Sequence, residues 1–255
     1  MENWLDRSEQ MLGREGIDRL GASRLLIVGI GGVGSYAAEA ACRGGVGSIA
    51  VMDGDAVAPS NINRQLIALS STVGRNKAEL MAERMRDINP GARIAAIPYY
   101  YRADTAANQG TNPDLTHVDS SNNVVINQRD AHANISTNPD LTEFDWIIDA
   151  IDDVDAKVAL IKEAKRLGIN IISAMGAAGK FETQFKTADI SETSTCPLAR
   201  VMRRRLKAEG IEHLPVVYST EKPIPRDGEL GSLSYVPGAM GLELAGYIIK
   251  QITRA

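Results

Sequence analysis

GIGGVGS, Gly29 to Ser35, decides the reading of this chain. It follows Leu25-Leu26-Ile27-Val28, a short apolar run of the kind that forms a strand buried on both faces of a parallel sheet. Gly29, Gly31 and Gly34 fit G-x-G-x-x-G, with Gly32 between them and Ser35 closing the turn. Glycines there permit a tight turn, close approach of backbone to phosphate, and close packing of helix on strand. Val33 to Arg43 then reads as an alanine-rich helix whose N-terminus points free N–H groups at an anion. Ile49 to Met52 is the next strand, and Asp53 stands at its end, where a ribose-binding acid belongs.

These features fit a dinucleotide and a nucleoside triphosphate equally well. SNINRQ, Ser60 to Gln65, separates the two, because a dehydrogenase needs no Arg-Gln pair after the ribose acid. Arg64 can spread a planar guanidinium over phosphate oxygens, with Asn61, Asn63 and Gln65 as neutral contacts. Lys77, early in the helix GRNKAELMAERM, offers a mobile ammonium. Taken singly, Arg64 reads as a solvated arginine and Lys77 as an ordinary helix lysine. Together with the glycine turn they indicate a triphosphate held for attack.

A second acidic cluster follows a second strand. Trp146-Ile147-Ile148 runs into Asp149, and AIDDVDAK carries Asp152, Asp153 and Asp155 into a helix. A carboxylate at the carboxyl end of a parallel strand faces the ligand crevice, so Asp152 is placed to hold Mg²⁺ on the phosphates. Helix capping by Asp152 or Asp153 is the competing reading.

Along the chain, strands and helices alternate to about residue 176, the pattern of an α/β, doubly wound, mostly parallel Rossmann-like sheet. Beyond it the pattern predicts a mixed extension. It has a crossing loop and strand in MGAAGKFETQFKTADI, a helix from Pro197 to Ala208, and strands at 216–218 and 232–236. A last apolar helix runs from Pro237 through Ile252. All of this fits one domain over residues 1–255. Asp104 to Asp140 stands apart: it is polar, and TNPDLT occurs in it at 111–116 and again across its end at 137–142. That direct repeat marks an inserted, mobile surface loop, in which His117 and His132 are expected to be solvated.

The chain has 255 residues, 44% of them hydrophobic, enough for a full core. A net charge of −4 excludes a globally basic nucleic-acid binder but not a local patch. Arg200, Arg203, Arg204, Arg205 and Lys207 cluster after Pro197, and Arg203, Arg204 and Lys207 are candidate RNA contacts. Two cysteines, no membrane-length apolar run and no signal-peptide pattern lead us to expect a cytoplasmic protein without membrane contact.

LLIVGIGGVGS, VMDGDAV, SNINRQ, VGRNKAE and IDAIDD occur in the order of the ThiF, MoeB and HesA superfamily of adenylating enzymes, related to ubiquitin-activating enzymes, which the chain resembles over nearly its whole length. The more specific SEQMLGREGIDRL, CPLARVMRRRLK, VVYSTEKP and GSLSYVPGAMGLELAGYIIKQI resemble the tRNA threonylcarbamoyladenosine dehydratases. The resemblance implies ATP-dependent cyclisation of that nucleoside through an acyl adenylate. Gly29, Gly31, Gly32, Gly34, Ser35, Asp53, Asp55, Asn61, Gln65, Lys77 and Asp153 would bind the nucleotide. Arg64, Lys77 and Asp152 would act in catalysis, with Asp152 organising Mg²⁺. It further implies a homodimer, tRNA as substrate, a cysteine-desulfurase system as a further partner, and room for a monovalent cation.

Only Cys42 and Cys196 are present, so the paired CxxC zinc site of the sulfur-carrier activators is impossible within one chain. Cys196 invites a thioester reading, but CPLA is itself a variant of the dehydratase motif, which favours a packed residue. Two other functions stay open. One is adenylation of another carboxylate, such as the C-terminus of a carrier protein or a peptide. The other is a nucleotide-binding protein without adenylation. Arg64, Lys77 and Asp152 count against the second. The missing CxxC pairs count against the first, while Glu182-Thr183-Gln184, where the family often has Asp-Pro-Thr, counts for it.

Overall fold

A computed structural model describes residues 3–103 and 138–254. The strands are β1 (Arg24–Val28), β2 (Ser48–Met52), β3 (Arg93–Ile97), β4 (Trp146–Asp149), β5 (Asn170–Ala174), β6 (Lys186–Asp189) and β7 (Pro215–Tyr218). They form one sheet in the order β3-β2-β1-β4-β5-β7-β6. Every pairing is parallel except β6 with β7. The order reverses between β1 and β4, and such a switch point opens a crevice at the carboxyl ends of the strands.

Strand side chains alternate between two cores, as the pleat requires. Leu25, Ile27, Ile49, Val51 and Ile148 face one side, against α2 (Gly34–Arg43), α3 (Lys77–Ile88) and α6 (Val236–Arg254). Leu26, Val28, Met52 and Ile147 face the other, against α4 (Val154–Leu167) and α5 (Pro197–Ala208). The small side chains of Ala37 and Ala41 on α2 share the first core with Leu244 and Ile248 of α6. That burial accounts for the strongly apolar last helix. The N-terminal helix α1 (Asp6–Ala22) adds Leu20 to the same side.

The expected α/β alternation up to residue 176 is present, and α5 has the predicted bounds. One expectation fails. Residues 232–236 do not form a strand: Val236 already begins α6, and the segment before it is irregular. Its Ser232 carbonyl accepts a hydrogen bond from Asn63 Nδ2 at 2.9 Å, so the backbone is tied to the SNINRQ loop instead of a sheet edge. The antiparallel edge is supplied by β6.

The expected insertion, with its repeat, His117 and His132, falls mostly on residues 104–137, outside the described residues. Its flanks are tied together: Arg102 N donates to Asn138 Oδ1, and Asn138 Nδ2 donates to Arg102 O, both at 2.9 Å. Among the described residues no helix is long and apolar enough to cross a membrane.

Candidate active site

The carboxyl ends of β1, β2, β4 and β5 open into a cleft of about 840 Å³, a size that suits a nucleotide-sized ligand. The β1–α2 turn forms its floor. Gly29 has φ +91°, and a Cβ there would lie 2.5 Å from the Ala150 carbonyl oxygen. At Gly34 a Cβ would lie 1.8 Å from the Gly29 carbonyl oxygen. Any side chain at either position would force the turn open. Gly29, Gly31 and Gly32 line the cleft, whereas Gly34 lies behind them and lets the turn close.

Ser35 is a strut of this turn and does not line the cleft. Its buried hydroxyl donates to Gly31 O at 2.6 Å and accepts from Leu66 N at 3.3 Å, which fastens the glycine turn to the end of the SNINRQ loop. Within that loop the side chains divide. Asn61 caps its own turn by accepting from Ala58 N at 3.0 Å, and does not line the cleft. Arg64 lines it, using Nη1 on Ser60 O (2.8 Å) and Asn63 Oδ1 (2.9 Å). Its other guanidinium N–H groups have no partner among the described residues. Gln65 is buried and lines the cleft, and its Oε1 has no hydrogen-bond partner among the described residues.

The opposite wall is acidic and tyrosine-rich. Asp53 accepts from Ile30 N at 2.7 Å and Asp55 N at 2.8 Å. Burial nevertheless holds its carboxyl above the usual range. Asn76 caps α3 by accepting from Glu79 N, and its amide donates to the carbonyls of Asp53 and Asp55. This brings the first residue of α3, Lys77, under the cleft. Its buried ammonium donates to Asp55 Oδ2 at 2.6 Å. Tyr100 OH donates to the other Asp55 oxygen. Burial raises the Asp55 carboxyl, but the hydrogen bonds from Lys77 and Tyr100 outweigh it and hold it below the usual range. The same bond from Tyr100 pushes that phenol up to about 12.

Asp153, not Asp152, is the N-cap of α4, accepting from Ala156 N at 2.8 Å. Asp152 is exposed, lines the cleft, and has no hydrogen bond or ion pair among the described residues. Beneath it lies a group that sequence reading missed. Lys157 and Asp149 are fully buried, with Nζ 2.9 Å from Asp149 Oδ2. Lys157 Nζ also donates to Ile151 O at 2.9 Å. Ser173 Oγ donates to Asp149 Oδ2 at 2.6 Å, and Ile151 N donates to Asp149 Oδ1 at 3.1 Å. This network clamps the backbone immediately before Asp152.

The far rim is built by the β5–β6 crossing loop and the chain before α6. Met175 to Ala178, Leu198, Leu230 to Ser232 and Pro237 line it. Glu221, from the VVYSTEKP motif, accepts from the backbone N–H groups of Phe181 and Glu182, each at 3.0 Å for its shorter contact. Those bonds hold the Glu221 carboxyl below its usual range. Lys180, nearly buried, donates to the Glu221 carbonyl, and burial lowers its ammonium. Cys196 sits at the N-cap of α5, buried behind Gly176 and outside the cleft lining. Cys42 is packed in the first core, where burial raises its thiol to about 11. Among the described residues no group of three or more His, Cys, Asp or Glu side chains is gathered to hold a metal ion.

A switch-point cleft with a phosphate-turn floor, a guanidinium with unused N–H groups and lining carboxylates defines a nucleotide-binding α/β protein. The chain belongs to the ThiF family, whose sequence model matches residues 5–255. It is 35% identical to the tRNA threonylcarbamoyladenosine dehydratase of Bacillus subtilis, over 100% of this chain and 96% of that protein. The Escherichia coli enzyme of that name is 34% identical over 78% of this chain, an alignment spanning 64% of its own length. Crystal structures of the Escherichia coli dehydratase with AMP and with ATP superpose with TM-scores of 0.79 and 0.78, at 31% identity. Each covers 97% of this chain and 93% of the other.

Proposed function

We propose that this chain uses ATP to cyclise threonylcarbamoyladenosine in tRNA, with loss of one water. The observation that carries the reading is the convergence of Arg64, Lys77 and Asp152 on one cleft floored by the glycine turn. A scaffold that only held a nucleotide would have no need of a guanidinium with unused N–H groups, a buried ammonium and an unpartnered carboxylate lining the same cleft. The named relatives supply the nucleoside and the tRNA, and the AMP and ATP complexes of one of them supply the nucleotide.

A carboxylate is a poor acylating group because oxide leaves badly. One oxygen of the threonyl carboxylate attacks the α-phosphorus of ATP, and the bond to pyrophosphate breaks. The acyl adenylate then carries AMP as a good leaving group. A nitrogen of the same side chain attacks the acyl carbon, loses its proton, and AMP departs with the original carboxylate oxygen. Arg64 stabilises the phosphate charge as it grows, because its unused N–H groups are already oriented and need no reorganisation. Lys77 reaches phosphate by exchanging Asp55 for it. Gln65, with a buried acceptor to satisfy, fixes the nucleotide beside Gly31. Asp53 takes the ribose hydroxyls.

The donor set also fits Mg²⁺ carried by the nucleotide, since that ion binds through one or two carboxylates plus phosphates, and Asp152 is a free carboxylate at the cleft. When bound, it neutralises phosphate charge. The family resemblance supports one adenylation unit over 1–255 with 104–140 inserted, a cytoplasmic homodimer, room for a monovalent cation, and a cysteine-desulfurase system as a partner.

The test is AMP release from labelled ATP with Mg²⁺, comparing tRNA that carries threonylcarbamoyladenosine with tRNA that lacks it. Nucleoside masses are read from the same tubes. The expected result is AMP with the modified tRNA alone, together with loss of one water, both abolished in Arg64→Ala. ATP binding without AMP or mass change refutes the dehydratase reading. AMP formed with a peptide or carrier-protein C-terminus instead would assign the enzyme to another carboxylate.

A further inference from the structure

We infer that the exposed face of α5 is a track for the RNA strand that leaves the cleft, held by Arg200, Arg204 and Lys207. The inference rests on the tRNA reading above and deepens it. Five cations follow Pro197, and the fold divides them into two groups. Arg203 is half-buried and turned inward: its Nη1 donates to Ile190 O (3.2 Å), Thr193 O (2.9 Å) and Thr193 Oγ1 (2.5 Å). Arg205 is paired with Asp155 at 2.5 Å. Arg200, Arg204 and Lys207 are exposed, and their side chains have no hydrogen bond or ion pair among the described residues. Arg203, a candidate RNA contact in the sequence, is therefore a structural tie, and Arg200 belongs in its place.

The three free cations stand at i, i+4 and i+7, which a helix puts on one face. Ala199, Met202 and Leu206 fill the opposite face and are buried in the second core. The stripe also has a direction. Leu198 lines the cleft, so the first turn of α5 touches the pocket. At a rise of 1.5 Å per residue, Arg200, Arg204 and Lys207 lie roughly 3, 9 and 14 Å farther along the axis.

A chain of phosphates fits this face better than an acidic protein does. Protein interfaces need desolvated apolar or aromatic anchors, and α5 exposes no large hydrophobic side chain. A phosphate chain needs only cations that follow it. Of the carboxylates near the stripe, Asp155 is engaged by Arg205 and Glu209 by Lys162 at 2.6 Å, which leaves Glu192 of the preceding turn against three cations. The local field is therefore positive although the chain carries −4.

The experiment measures tRNA affinity by fluorescence anisotropy across a salt series. It compares the unaltered chain, the triple variant Arg200→Ala/Arg204→Ala/Lys207→Ala, and Arg205→Ala. ATP affinity is measured in each to show that the cleft is intact. Each lost phosphate contact removes roughly 0.7–0.9 from the slope of log affinity against log salt. The triple variant is expected to lose about 2 units of slope and to bind tRNA at least tenfold more weakly. Arg205→Ala is expected to keep the slope. Equal slopes for the triple variant and the unaltered chain, in a protein that still removes water from the modified nucleoside, overturn the track alone and give the stripe to another partner. An unaltered chain that neither binds tRNA nor changes the nucleoside mass overturns the track and the dehydratase reading together.

Discussion

Replacing Lys157 by Met tests whether the buried pair beneath Asp152 holds the site. The ammonium and the Asp149 carboxylate are both fully buried and 2.9 Å apart. Methionine keeps most of the volume but leaves Asp149 as an uncompensated buried charge and strips the Ile151 carbonyl of its donor. Breaking such a pair from one side costs about 3–5 kcal/mol. For a chain of this size each kcal/mol lowers the melting temperature by about 2–4 °C, so calorimetry should show a drop of roughly 6–20 °C. Asp149→Asn added to Lys157→Met removes the stranded charge, keeps Oδ1 as the acceptor for Ile151 N–H and puts Nδ2 against Ser173 Oγ, a hydroxyl that can accept instead of donate, and should recover more than half of that loss. Because the clamp holds the backbone before Asp152, the single variant should also raise the ATP KM in the AMP-release assay. A Lys157→Met protein that melts within about 2 °C of the unaltered chain would refute the reasoning, since no buried charge could have been stranded.

Gly34→Ala must open the β1–α2 turn, because its Cβ would meet the Gly29 carbonyl oxygen at 1.8 Å; overpacking of this kind costs about 1–3 kcal/mol, visible as a lower Tm together with loss of ATP binding by calorimetry. Asp152→Asn should leave Tm unchanged, since Asp152 has no partner among the described residues, yet raise the Mg²⁺ needed for half-maximal AMP formation about tenfold or more. Tyr100 should ionise near pH 12 because its hydroxyl donates to Asp55, and Asp55→Ala should return it toward 10, read as phenolate absorbance against a Tyr100→Phe control. With the folded value raised, this contact stabilises fully below pH 10 and is lost as pH rises through about 12.

The glycine turn, Asp53 and the acidic strand end were legible in the sequence because each is a local pattern: an apolar run, a fixed spacing, a residue at a strand terminus. Lys157 was not. In AIDDVDAK it looks like any helix lysine, and only β4–β5 register and the packing of α4 bring it over Asp149 with Ser173 alongside. The backbone ties of Arg203 were not legible for the same reason, since its carbonyl partners arrive from a turn before α5. Residues 232–236 alternate like a strand, but alternation carries no information about whether a sheet edge is available. Asn63 had already taken the Ser232 carbonyl. Asn61 and Ser35, expected at the nucleotide, also bond nearby backbone, a use of short polar side chains that the motif alone does not show.

The paired hydrogen bonds between Arg102 and Asn138 have a consequence for how this chain tolerates changes of length. They fasten the carboxyl side of β3 to the approach to β4 irrespective of what runs between. Closure entropy of a flexible loop grows only with the logarithm of its length, about 0.6 kcal/mol per doubling. For a chain that behaves in this way, shortening the span roughly fourfold, as excising one copy of TNPDLT with the residues up to the next would do, changes the closure term by only about 1 kcal/mol. The clasp therefore makes this position a permissive graft point, where a duplicated segment can be gained, lost or exchanged for a tag while the order of strands beneath it is unchanged.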